Sequence, residues 1–300
     1  MKNTVVITIV SVLLICSCIN QQEEQKEWTA EEWKNHLFLT NPSLDQSINN
    51  MAAGLGNVEE LPIGTHLRYK ITALGTFEGM EMPYDMTMTI DIPGKESLSG
   101  KECTVVELFI EAEMEMEGES FDMVIAGKEW IDAAGTPLKI ETEFGMSLFG
   151  ELEMPMKLTM EFAGEEQYKG HECWVFTGVQ SMDLMGTKME MTITQYMDKE
   201  TYVVVGMIID GEEQEADSSF TEAQTYFQGL EWELGGRETI TTELGTYDCQ
   251  VIYLKDAGET VGTIWANEEF KSPLKYAITY EVSNMLMDMT MTLVEYSWSG

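Results

Sequence analysis

One stretch of this chain is used twice, and half of it a third time. Glu81-Met82-Pro83-Tyr84-Asp85-Met86-Thr87-Met88 is followed about twenty residues later by Gly100-Lys101-Glu102-Cys103. The pair returns as Glu153-Met154-Pro155-Met156-Lys157-Leu158-Thr159-Met160 and Gly170-His171-Glu172-Cys173, and Gly245-Thr246-Tyr247-Asp248-Cys249 echoes its second half. Glu129-Trp130-Ile131-Asp132 and Pro137-Leu138-Lys139-Ile140 have counterparts in Thr263-Ile264-Trp265-Ala266 and Pro273-Leu274-Lys275-Tyr276. Self-similarity at a fixed period marks one supersecondary unit used several times. The chain must therefore build its core from repeated copies of one element.

The hydrophobic period identifies that element. Leu67, Tyr69 and Ile71 alternate with Arg68, Lys70 and Thr72, and Met80, Met82, Met86, Met88, Ile90 and Ile92 share one parity. The next run sets Thr104, Val106, Leu108, Ile110, Ala112, Met114 and Met116 against Glu107, Glu111, Glu113, Glu115 and Glu117. Such alternation belongs to antiparallel strands with one face on a core and the other in water. Pro93-Gly94, Glu117-Gly118, Gly135-Thr136, Gly164, Gly186 and Gly211 read as turns at meander spacing. Two short helices are expected before the strands. One follows the capping box Thr29-Ala30-Glu31-Glu32, and the other runs from Ser43 to Ala53 with Gly54 as its stop. A third is expected after Ser219, behind a linker at 212–218. The fold class is mostly β: a large curved antiparallel sheet of repeated units with two or three short helices packed on it.

The N-terminus has a different grammar. Lys2 precedes a short apolar run from Val5 to Ile15 that ends in Leu14-Ile15-Cys16-Ser17-Cys18. The run is short for a membrane span and of signal-peptide length. It resembles the lipobox of prokaryotic lipoproteins, in which a small residue precedes the cysteine that is lipidated. Ser17-Cys18 fits that pattern better than Ile15-Cys16. The resemblance implies a signal peptide at 1–17, lipid on Cys18, and an extracytoplasmic domain anchored to the membrane on its periplasmic or cell-surface side. Residues 18–28, with Asn20-Gln21-Gln22-Glu23-Glu24-Gln25, read as a tether. The short helices then occupy 29–62, two β units 63–211, and a third unit 212–300, continuous with the same sheet or separate from it.

Charge excludes one class of partner. With 17 Lys+Arg against 53 Asp+Glu, the net charge of −36 repels nucleic-acid backbones.

Methionine is the unusual residue, at 23 in 300 positions. Met80, Met82, Met86 and Met88 share a strand face, as do Met285, Met287, Met289 and Met291; Met114 with Met116 and Met189 with Met191 form shorter pairs. Three readings compete: core packing, an adaptable apolar groove for acyl chains or greasy peptides, and thioether binding of Cu(I). Rows along strands line a surface and do not obviously close on an ion. Cys103, Cys173 and Cys249 each occupy the same place in a repeat and read as buried strand cysteines, with one disulfide open to them. His171 and Cys173 share a face as a potential pair of metal ligands, yet the positions equivalent to His171 are Lys101 and Thr246, and no other histidine is near in sequence. The stripe Glu113-Glu115-Glu117 lacks the loop of a dedicated Ca²⁺ site. His36, His66 and His171 are the only histidines, and no nucleophile elbow, phosphate loop or His-Glu-x-x-His occurs. The chain reads as a non-enzyme with no cofactor and no metal site.

A tethered domain with a long antiparallel sheet, one Met-rich face and short helices resembles in architecture the open half-barrel of Lol-type lipoprotein carriers and lipid-binding mycobacterial lipoproteins, over about Trp28 to Trp298. The resemblance implies a curved sheet around an apolar cavity and a lipid, acyl chain or lipoprotein as ligand, with other envelope proteins as further partners. A structural or interaction protein of the cell surface and a Met-based copper lipoprotein remain as alternatives.

Overall fold

The computed structural model describes residues 28–37, 62–77, 79–116, 119–148, 152–184, 187–200, 204–214, 226, 229–282 and 285–298. The signal peptide, Cys18, the tether to residue 27 and the expected helix from Ser43 to Ala53 lie outside these, as does most of the segment after Ser219.

Among the described residues helix α1 (Ala30–His36) is followed by β1 (His66–Phe77), β2 (Met80–Leu98), β3 (Lys101–Met116), β4 (Glu119–Asp132) and β5 (Pro137–Leu148). Next come β6 (Leu152–Tyr168), β7 (His171–Leu184), β8 (Thr187–Asp198), β9 (Val204–Ile209) and β10 (Glu212–Gln214). β11 (Glu231–Thr242), β12 (Gly245–Asp256), β13 (Glu259–Ala266), β14 (Lys275–Val282) and β15 (Met285–Ser297) complete the chain. All fifteen form one sheet, in the order β10-β9-β8-β7-β6-β5-β4-β3-β2-β1-β15-β14-β13-β12-β11. It is antiparallel throughout. The last strand returns to pair with the first, so the third unit belongs to the same sheet as the other two. The edges β10 and β11 do not pair with each other, so the sheet is open. Residues 212–214, expected within a linker, form edge strand β10 against β9.

The hairpins β2–β3, β6–β7 and β11–β12 share one geometry. Each long strand carries a register shift, at Asp91/Gly94, Phe162/Gly164 and Leu234/Arg237. In each, a glutamate two residues past the bulge glycine (Glu96, Glu166, Glu238) faces Cys103, Cys173 or Cys249 across the ladder. Pro93-Gly94 and Gly164 therefore mark bulges inside continuous strands, where turns were expected. A bulge takes up the extra residue and bends the strand without ending it, and it tolerates Pro and Gly. The reversal itself comes at Ser99-Gly100 and Lys169-Gly170, both with positive φ, as a tight two-residue hairpin requires. Pro83 and Pro155 pair with Leu74 and Gly145 on one side, and each sits one residue before its strand begins to pair on the other. The missing amide costs least there.

The cross-strand register sorts side chains onto two faces. One face, called inner here, carries Tyr69, Ile71, Met86, Met88, Ile90, Leu108, Ile110, Ile125, Ile264, Tyr276, Ile278, Met289, Met291 and Leu293, all buried in one cluster. A second cluster on β5–β8 holds Ile140, Met160, Trp174, Phe176, Ile193 and Met197.

Helix α1 completes the larger cluster with Trp33 and Leu37. Its start is closed by the capping box: the Glu32 amide donates to Thr29 Oγ1 at 3.2 Å, and the Thr29 amide donates to Glu32 Oε2 at 2.9 Å. Seven residues do not hold a helix in water unaided, and docking supplies the rest. Lys271 Nζ lies 3.1 Å from His36 Nδ1, a contact in which the neutral ring accepts. Burial, and then the Lys271 charge, hold the His36 pKa below its usual value. A depressed folded-state pKa means that the unfolded chain binds the proton first, so the contribution of this contact is present above the ordinary pKa of about 6.5 and fades as pH falls below it. The protection factors of the amides over residues 30–36, which compare the observed with the intrinsic exchange rate at each pH, are expected to fall between pH 7 and pH 5 in the native protein. His36→Gln should flatten that dependence, and an unchanged profile in the variant would contradict the assignment.

Candidate functional site

The methionine rows follow the sequence expectation in parity but not in exposure. Met82 pairs with Gly75, which pairs with Met287; Ile71 lies between Met86 and Met291, and Ala73 between Tyr84 and Met289. Met86, Met88, Met289 and Met291 are buried in the filled core, so these four line no open groove. The reason is topological. β15 returns beside β1, so the two strongest methionine rows flank β1 on either side, with Ile71 and Ala73 between them, and Met side chains suit the irregular gaps of such a core. Met82 and Met287 are half-buried; Met287 packs on that core, and the Tyr84 hydroxyl donates to the Met82 sulfur at 3.8 Å. Met80, Met114, Met116 and Met285 occupy strand positions whose side chains lie outside the description.

The inner face opens on the opposite wing. Met156 pairs with Met182, and Met182 with Met189, in one row across β6, β7 and β8. Met156 and Met182 are half-buried and Met189 is 41% exposed. Gln180 Nε2 reaches the Met156 sulfur and pairs across the ladder with half-buried Met191. Met156 belongs to the second copy of the repeated stretch, but neither it nor Met182 stood out in the sequence. Their alignment with Met189 depends on the β6–β7–β8 register.

The outer face carries depressions among the described residues. Three open hollows of about 640, 330 and 700 Å³ lie over β1–β4, β2–β5 and β3–β8. Each strand gives them alternate outward side chains, such as Glu111 and Glu113 or Lys157 and Pro155, with the backbone of the intervening residue as floor. Phe109 and Val124, each 39% exposed, stand among these charges. Phe109 occupies the one gap in the acidic stripe from Glu107 to Glu113, a signal that the sequence carried.

Cys103, Cys173 and Cys249 are free and fully buried. Each sulfur donates to the carbonyl two residues back, of Lys101, His171 and Tyr247. Counted from the cysteine, the third equivalent of His171 is thus Tyr247, where the sequence comparison had Thr246. The turn before the third cysteine, with Glu243 and Leu244 between the paired residues, is built differently from the two positive-φ turns. Burial pushes all three thiols up, Cys249 to about 11. The thiolate is the reactive form, so none is expected to react with iodoacetamide at pH 8 in the native protein, and all three should react in guanidinium. Peptide mass spectrometry would read this out, and rapid native labelling of any one would contradict its burial.

His171 does not join Cys173 as a ligand pair. Its Nδ1 lies 2.8 Å from Asp198 Oδ2, while Lys101 holds the equivalent Asp132 at 3.3 Å. Asp132 and Asp198 in turn accept backbone amides two residues on, from Ala134 and Glu200. The same side-chain contact to an aspartate closes both units, which assigns His171 a structural part. Among the described residues no three His, Cys, Asp or Glu side chains form a metal-sized group.

The fold and both faces define an open, single-sheet antiparallel β protein of repeated bulged hairpins. No family model matches the chain, and no curated protein matches it. Among solved structures, a β-barrel-like protein with a domain of unknown function from Brucella abortus has a TM-score of 0.31 at 9% identity, covering 80% of this chain and 100% of its own. A candidate lipoprotein from Parabacteroides distasonis scores 0.22 at 12% identity, covering 79% of this chain and 96% of its own. A candidate exported protein with a YmcC-like fold from Bacteroides fragilis scores 0.21 at 13% identity, covering 79% and 97%. At these scores nothing of those proteins' roles carries over.

Proposed function

We propose that this chain is a non-catalytic, extracytoplasmic lipoprotein, anchored through Cys18, that binds a lipid or acyl chain on the open wing of its inner face. The observation that carries the reading is the row of half-buried Met156 and Met182 and exposed Met189, with half-buried Met191 beside it, on a face whose other wing is a filled core. Unbranched thioether side chains adapt to irregular apolar partners, and an apolar row left in water at the end of a core favours an apolar occupant. The lipobox-like Ser17-Cys18 supports the location. The thioethers run along the wing and do not converge, which favours a surface over a copper site.

The test is chemical. Protein lacking residues 1–18 is purified, extracted and analysed by mass spectrometry for bound lipid, then titrated with a fluorescent fatty acid. Co-purified lipid and saturable binding that Met189→Glu weakens are expected. A clean extract together with no fatty-acid affinity would overturn the reading.

A further inference from the structure

The outer face has a composition that the inner-face reading leaves unused. Phe109, Ala126, Glu143, Lys157, Ser181 and Glu190 form one cross-strand row from β3 to β8. Beside it, Val124 pairs with Gly145, and Gly145 with Pro155. Small residues at Ala126, Gly145 and Ser181 leave a trough between longer neighbours. A side-chain carbon added at Gly145 would meet nothing within 4 Å, so the space above it is open. Phe109 borders the 330 and 700 Å³ hollows and Val124 the 640 and 700 Å³ ones, so the three meet around this pair. Single exposed apolar residues are ordinary; here two adjoin over a floor of small residues. Ten carboxylates and four ammonium groups line the hollows. Three of the ammonium groups are already engaged, Lys70 by Glu243, Lys128 by Glu96 and Glu107, and Lys157 by Glu143.

We propose that this trough is a docking surface for a cationic amphipathic peptide segment, with a bulky apolar side chain seated between Phe109 and Val124 and Lys or Arg side chains on the acidic rim. Charge complementarity decides the occupant. Anionic lipid and a second copy of this chain, at net charge −36, are both repelled. A purely apolar ligand would leave the excess of carboxylates over ammonium groups along the rim unanswered, whereas a basic segment meets both features.

Full-length protein in a neutral detergent is titrated with a fluorescein-labelled peptide of alternating Lys and Leu with one central Trp, read by anisotropy against protein-free micelles. Saturable binding that weakens about tenfold between 50 and 500 mM salt is expected. Gly145→Val fills the trough in open space, so it should cost about tenfold in affinity while leaving the melting temperature unchanged; if it does unfold the protein, Ala126→Leu fills the same space. Glu111→Gln with Asp122→Asn should weaken binding and flatten its salt dependence. Glu231→Gln with Glu233→Gln, on distant β11, should do neither. No binding would overturn the proposal. So would binding that the trough variants leave unchanged, or that the β11 pair weakens equally, because net charge alone would then explain it.

Discussion

Gly178→Ala is expected to destabilise the protein by about 3 kcal/mol, at the upper end of what overpacking costs, although glycine to alanine in a strand is ordinarily neutral or favourable. Gly178 pairs with Met160 on one side and Ile193 on the other. A methyl group there would collide with the Thr159 carbonyl oxygen and stand 2.8 Å from Met160 Cα and 2.7 Å from its sulfur. Met160 could swing its thioether away, but the neighbouring backbone cannot yield without parting β6 from β7. The bulge at Phe162/Gly164 lies just beyond, so the strand is already bent at this point. Thermal and urea unfolding would measure the loss, with Gly145→Ala as the contrast. Gly145 has open space above it, and the alanine there should fall within about 0.5 kcal/mol of the parent. Equal effects at the two glycines would rule out a steric cause at Gly178.

Trp33→Ala should have a comparable effect by another route. Trp33 is 2% exposed, and its ring lies 4.7 Å from that of Trp28 and 5.8 Å from that of His36. Truncating a buried tryptophan costs about 3–5 kcal/mol, more than a seven-residue helix can recover from its own hydrogen bonds and capping box. The loss should therefore appear first as undocking of α1, seen as rapid amide exchange over residues 30–36 and increased dye binding to the exposed core. Global melting should shift less than the full side-chain term. Thr29→Ala removes only the cap, with an expected cost of about 1 kcal/mol, and the docked helix should survive it. If Trp33→Ala left the exchange of α1 untouched, the interior role of this residue would be wrong.

Where sequence and structure differ, the cause lies in long-range pairing. Pro93-Gly94 and Gly164 look like turns because turns and bulges call for the same residues. Only the partner strand shows whether the chain reverses or continues. The methionines of β2 and β15 look like candidates for a groove because parity says which face they share but not what stands opposite. Residues 212–214 look like linker because three charged or polar residues carry no period, yet β9 offers them a free edge. The acidic stripe on β3 was readable, but Phe109 within it gained meaning only when Ala126, Gly145 and Ser181 came alongside from other strands.

Local rules account for what the sequence determined alone. Period-two alternation requires strands with one buried face, the recurring cysteine hairpin requires repeated units, Thr29-Ala30-Glu31-Glu32 requires a helix start, and a charge of −36 selects against anionic partners. Each follows from residues within a few positions of one another, or from a sum over the whole chain. The tertiary structure decided the return of β15 to β1, with Arg68 and its ion partner Glu295 lying 227 positions apart. That one pairing buries Met289 and Met291 beside Ile71 and Ala73, and Met156, Met182 and Met189 on the other wing stay the less buried end of the inner face. No local pattern encodes it, because strand register across such a separation is chosen by the total apolar area that the two faces can bury together.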